Sequence, residues 1–161
     1  MKHSGFTTLE LVVVLLIVGI LAAALLPRST DRAISVSAQA DQLANDIRYV
    51  QSMAMTQGQR YYISLTTTTY AFIAVSGAVA QRHPATGSTA AIPLAAGVTM
   101  TIPPTNLPNS LIAFDGSGIP YTDAAATTQL AAGTNGVITF TGAGGSNTVT
   151  VYPQTGRVTT P

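Results

Sequence analysis

Apolar residues crowd one end of the chain. From Leu11 to Leu26 sixteen residues run without a charge, and Phe6 to Leu9 extends the stretch upstream across Glu10. As a helix rising about 1.5 Å per residue, the sixteen cover roughly 24 Å, short of a ~30 Å hydrocarbon core; Phe6 to Glu10 makes up the deficit. Pro27 interrupts the helical bond ladder just past the run, and Gly19 is a second weak point. From Asp31 to Thr56 the pattern becomes amphipathic. Ala40, Leu43, Ala44, Ile47, Val50 and Ala54 recur at steps of three and four, with Asp41, Gln42, Asn45 and Gln51 largely off that stripe. This periodicity predicts one helix continuing from the apolar segment and ending at Gly58.

Beyond Gly58 the pattern shifts to strands. Arg60 to Leu65 and Tyr70 to Val75, rich in β-branched and aromatic residues around Thr66 to Thr69, predict a hairpin on which the helix stripe packs. Ser76 to Ala96 is rich in Gly, Ala, Ser and Thr, with few residues able to form a core, and is expected to be an exposed, mobile loop. Later candidate strands are Gly97 to Ile102, Leu111 to Phe114, Gly136 to Thr141, Thr148 to Tyr152 and Arg157 to Thr160, separated by Pro-Pro, Gly-Ser-Gly and Gly-Gly. The expected fold is α+β: a long N-terminal helix on a C-terminal antiparallel β body. Half of that helix is left bare and needs lipid or neighbours.

Composition sharpens this picture. The 161 residues suit one domain with a short appendage. Charged residues are 8% of the chain and mean hydropathy is +0.36, so it needs a membrane or partners. The formal charge of +1 creates no field able to gather nucleic acid. With no cysteine there is no disulfide and no thiolate chemistry. Lys2 before the apolar run predicts an N-in, C-out orientation by the positive-inside bias.

A plain secretory signal accounts for the basic start and apolar stretch, with Ala22-Ala23-Ala24 as a cleavage site, but it has no use for Glu10. A carboxylate within a membrane segment costs roughly 2.5–3.5 kcal/mol and is by default a functional group seeking a cation. A cut after Gly5 would create that cation, a new α-amine on Phe6 at nearly the depth of Glu10. The residues Gly5-Phe6-Thr7-Thr8-Leu9-Glu10, followed by the apolar run and Pro27, resemble the class III signal of type IV pilins and type II secretion pseudopilins. Thr8 replaces the usual hydrophobic residue. The resemblance implies a prepilin peptidase that cuts after Gly5 and methylates the amine of Phe6. It gives Glu10 an assembly role, facing the amine of a neighbouring subunit, and implies local unwinding between Gly19 and Pro27 in the filament.

The resemblance extends into the body. Gln42 to Ala54 looks like the helix of H-type minor pseudopilins and related minor pilins, Phe114 to Pro120 like a short turn between their late strands, and Val149 to Val158 like their closing hairpin. It implies a long helix on a body of two sheets. The division is a leader at 1–5, a transmembrane and assembly helix at 6–27, an amphipathic helix at 28–58 and a β-rich head at 59–161. The implied function is a structural subunit of a type IV pilus or type II secretion pseudopilus. The lack of a cysteine pair tilts it toward a minor one. Its partners are the prepilin peptidase, other pilins or pseudopilins, and the inner membrane before assembly. The body would be periplasmic, then part of a pilus or pseudopilus. Loss of residues 1–5 removes Lys2 and leaves six basic and six acidic side chains, which suits close stacking.

Other chemistry finds little footing. His83, beside Pro84, is expected to be a solvated loop residue, and no G-x-S-x-G presents a serine, so no catalytic residue is named and no enzyme is expected. No metal site or cofactor is assigned. Asp115 and Asp123 could share a calcium ion with backbone oxygens, but Asp115 better fits fixing the Gly116-Ser117-Gly118 turn. Some minor pilins capture DNA through Gly-Arg-x-Arg; here Gly156-Arg157-Val158-Thr159 keeps only Arg157, too few cations for appreciable phosphate binding. Arg60 with Tyr61 and Tyr62 offers a stacking cluster that an alternating strand explains equally well. A DNA-capturing minor pilin, a membrane-anchored domain that never polymerises and a plain secreted β-protein are the alternatives.

Overall fold

A computed structural model describes residues 8–24, 30–74 and 78–161. Two helices come first, α1 over Thr8–Ala24 and α2 over Thr30–Gln57. Helix α2 ends one residue before Gly58, where its pattern predicts an end, and the expected continuity with α1 falls on residues 25–29, outside the described residues. All six stripe residues, Ala40 to Ala54, are buried. Its end is set by Gly58, whose φ of 62° lets the chain turn left-handed so that the Gln59 N–H reaches back to the Ala54 carbonyl at 3.2 Å. That bond satisfies a carbonyl the helix would otherwise leave open. Gly19 lies within helical α1, whereas Gly5, Phe6 and Pro27 lie outside the described residues.

The strands form two antiparallel sheets. In the first, β1 (Tyr61–Leu65) and β2 (Thr69–Ala74) make the expected hairpin, with Tyr61 opposite Ala74 and Leu65 opposite Tyr70. The Thr66 hydroxyl accepts from the Thr69 N–H at 3.0 Å and closes the turn. On the other side of β1 lies β6 (Leu111–Phe114), followed by β7 (Pro120–Tyr121). The outer edge of β2 is shared by β3 (Val79–Ala80) and β4 (Ile92–Pro93). The second sheet runs β10 (Val158–Thr159), β9 (Gly145–Val151), β8 (Gly136–Gly142), β5 (Val98–Met100).

Helix α2 lies against both sheets, touching β1 and β6 of the first and β8, β9 and β10 of the second. Alternation does the rest. Tyr61, Ile63 and Leu65 point inward from β1, Tyr70, Phe72 and Ala74 from β2, and Ile138 and Phe140 from β8, joining the helix stripe in one core.

Two expectations need correction. Ser76 to Ala96 is not simply an exposed loop, because it contributes β3 and β4 to the first sheet and packs Ile92, Leu94 and Ala95 on the core. Short apolar pairs such as Val79–Ala80 carry too little periodicity to be recognised as strands, yet an open edge of β2 satisfies their backbone. His83 is also misread: it is 4% exposed, because its ring packs on Phe72 and against α2.

Candidate functional site

Helix α1 is built almost wholly from residues that are apolar on every side. Leu11, Val12, Val13, Val14, Leu15, Leu16, Ile17 and Val18 are consecutive, so they point all around the axis, and each is 47–63% exposed. A helix of this kind is at home only in apolar surroundings. Glu10, in its first turn, is the one ionisable side chain it carries. A carboxylate there favours the positive end of the helix dipole. The 17 residues of α1 rise about 26 Å. Among the described residues no helix is long and apolar enough to cross a membrane.

The body presents a second arrangement, at the far end of α2. Asp115 accepts the N–H groups of Ser117 and Ile119 on Oδ1, both at 2.9 Å, and thereby fixes the turn expected of it. Gln51 then holds two loops at once, its Nε2 donating to Gly118 O at 2.9 Å and Thr155 O at 2.8 Å. Asp123 is occupied by the N–H groups of Thr127 and Thr128. Asp115 and Asp123 are therefore turn-formers. Among the described residues no group of three or more metal-ligating side chains exists.

Arg157 is exposed, and its guanidinium lies 4.3 Å from the ring centre of Tyr152. Arg60 donates to the Ala125 carbonyl at 2.7 Å, and Tyr61 beside it is a buried strand residue. Among the described residues Arg60, which precedes β1, makes no cation–π contact with Tyr61 or Tyr62, its guanidinium being held at the Ala125 carbonyl.

One group of polar residues escaped the sequence reading. Asp46 lies in line with Leu43 and Val50, is 6% exposed, and accepts the Tyr70 hydroxyl at 2.6 Å and His83 Nε2 at 3.1 Å. The Ala85 N–H donates to His83 Nδ1, so Nε2 carries the proton given to Asp46. Burial first, and then the hydrogen bond and charge of Asp46, push the Tyr70 hydroxyl far above its ordinary range. The available signal was a carboxylate on the apolar face of an amphipathic helix. Its partners come from 24 and 37 residues away, which no local pattern reveals.

Residues 39–155 match the family model described as type II transport protein GspH. The chain belongs to the GspH family. The match covers α2 from residue 39 onward and most of the β body and begins after α1, so the apolar helix is independent of it. Similar in structure are the minor pseudopilin EpsH from the type 2 secretion system of Vibrio cholerae and the type IV minor pilin FimU of Pseudomonas aeruginosa. The first has TM-score 0.53 and 13% identity over 79% of this chain and 96% of that one, and shares the fold. The second has TM-score 0.48 and 16% identity over 78% and 87%. No curated sequence matches the chain. GspH-like pseudopilins and minor pilins are structural subunits and not enzymes, with a periplasmic or pilus location.

Proposed function

We propose that this GspH-family protein is a minor subunit of a type II secretion pseudopilus or a type IV pilus, delivered through the inner membrane and assembled through α1. The supporting observation is α1 itself: a helix apolar on all sides, joined to a folded body of the family and carrying one carboxylate near its start. Burying α1 among like helices removes its apolar surface from lipid or water, which favours association by packing and, in water, by the hydrophobic effect.

In this reading the prepilin peptidase cuts after Gly5 and methylates Phe6. The new amine faces Glu10 of a neighbouring subunit. The pair sets axial register and adds little net stability, since each charge gives up solvation to form it. Gly19 and Pro27 allow α1 to unwind locally as the filament forms. The body stays on the periplasmic side and meets other pilins or pseudopilins.

Mass analysis of the mature N-terminus in the native host is the first test. A chain beginning at Phe6, one methyl group heavier than the bare sequence, is the expected result. A terminus after Ala24 would mean a secreted β-protein instead. Glu10→Val is expected to be processed and inserted normally yet to drop out of filaments. Normal incorporation of Glu10→Val would reject the assembly role of the carboxylate.

A further inference from the structure

Residues 82–91 lie between β3 and β4, and both flanks are tied to the edge of β2. Before them Val79–Ala80 pairs with Ile73–Ala74 and the Gln81 N–H donates to Phe72 O; after them Ile92–Pro93 pairs with Thr69–Tyr70. Between these anchors every residue is exposed except His83. The backbone of the segment closes mostly on itself. His83 N–H donates to Ser88 O and Gly87 N–H to His83 O, both at 2.8 Å, and the Ala85 N–H donates to His83 Nδ1 at 3.2 Å. Among the described residues, the hydrogen bonding from 82–91 to the rest of the protein runs through His83 Nε2 to the two oxygens of Asp46, at 3.1 and 3.2 Å. The same imidazole stacks on Phe72 with ring centres 5.3 Å apart and planes 18° from parallel.

We propose that residues 82–91 form a strap latched by the single side chain of His83, which opens as a unit while the body stays folded. No other side chain of the strap is buried to offset the entropy of holding it in place. Its remaining hydrogen bonds close within the segment among exposed residues, so they do not hold it to the body and give way to water once the latch lets go. Opening exchanges one buried imidazole for solvent, whereas global unfolding must also expose the core between α2 and the two sheets, so opening is the easier event. It would uncover Asp46 and the face of Phe72. Asp46 borders a cavity of about 630 Å³ with Asp41, Gln42 and Asn45 of α2 on one wall and Pro84 and Ala85 of the strap on the other. The state of the strap thus sets the shape of this side of the body.

Arg82 is exposed and directly precedes the latch, which makes trypsin a built-in reporter. The protease needs several residues around the cut bond drawn out into an extended form, and a seated His83 denies it them. The full chain in detergent micelles is digested and cleavage followed by mass at Arg82, Arg48, Arg60 and Arg157. His83→Ala is expected to accelerate the Arg82 cut by at least about tenfold, the effect of losing a hydrogen bond to a charged group. Cleavage at Arg48, Arg60 and Arg157 is expected to keep its wild-type rate. His83→Gln, which keeps an N–H donor for Asp46, is expected to fall between the two. An unchanged Arg82 rate, or equal acceleration at all four sites, overturns the latch. Should His83→Ala fail to fold, amide exchange in the wild type decides. The N–H groups of His83, Ala85 and Gly87 are expected to exchange with one shared rate, faster than the β1–β2 ladder, and exchange only together with that ladder overturns the proposal.

Discussion

Gly156 and Gly58 have the same backbone angle, φ 62°, and opposite surroundings, so alanine at each separates packing from backbone strain. At Gly58 a Cβ would meet nothing within 4 Å. Only the left-handed conformation then opposes Ala, at a cost of about 1 kcal/mol. At Gly156 a Cβ would lie 2.5 Å from Gln51 Nε2, 2.8 Å from Phe114 Cε1 and 2.9 Å from Gly118 O. Gln51 is flexible and can withdraw, but it then releases Gly118 O and Thr155 O, about 1 kcal/mol each. Phe114 is fully buried and has no room to yield. Overpacking of such a core side chain adds about 1–3 kcal/mol. Gly156→Ala is therefore expected to destabilise the body by about 4–6 kcal/mol and Gly58→Ala by about 1, given these contributions. Urea unfolding of the full chain in micelles, followed by tyrosine fluorescence, measures both. All six tyrosines lie in the body and there is no tryptophan, so α1 contributes no signal. Equal losses at the two positions would refute the close packing of the Gln51 side chain, the Phe114 ring and Gly118 O against Gly156.

Tyr70→Phe is expected to cost about 1–3 kcal/mol near neutral pH, because the buried Asp46 carboxylate loses its O–H donor. It also has a signature in alkali. The Tyr70 hydroxyl holds its proton in the folded protein far above the value near 10 at which the unfolded chain releases it. Stability is then fully present below pH 10 and declines above it, by up to about 1.4 kcal/mol per pH unit. Urea midpoints by circular dichroism between pH 8 and 11 are expected to show a shallower decline in Tyr70→Phe, and equal slopes would contradict the buried hydroxyl. Arg157→Ala is expected to leave retention on immobilised double-stranded DNA unchanged at physiological salt, since one exposed guanidinium releases about one counterion. A salt-dependent affinity lost in Arg157→Ala would instead establish the DNA-capturing alternative.

Much of this protein is legible from local pattern alone. The steps of three and four from Ala40 to Ala54 determined α2 and its buried face, because a 3.6-residue period leaves one stripe to cover. Enrichment in β-branched and aromatic residues marked β1, β2 and β8, the short apolar run Leu111–Phe114 marked β6, and Asp115 ahead of three small residues marked its turn. The apolar run from Leu11 and the carboxylate at Glu10 needed no structure, since solvation costs depend on residue type and length.

Tertiary structure decided what distant segments do to one another. It placed β5 in the second sheet although its sequence neighbours β4 and β6 belong to the first, and it used two-residue pieces to cover the edge of β2. Above all it moved His83 from expected solvent to a site beside Phe72 and gave Asp46 its partners. A polar residue reads as exposed in sequence because burying it alone is unfavourable. Whether complementary donors arrive from elsewhere depends on the packing of α2, β2 and the strap, which only the assembled fold brings together.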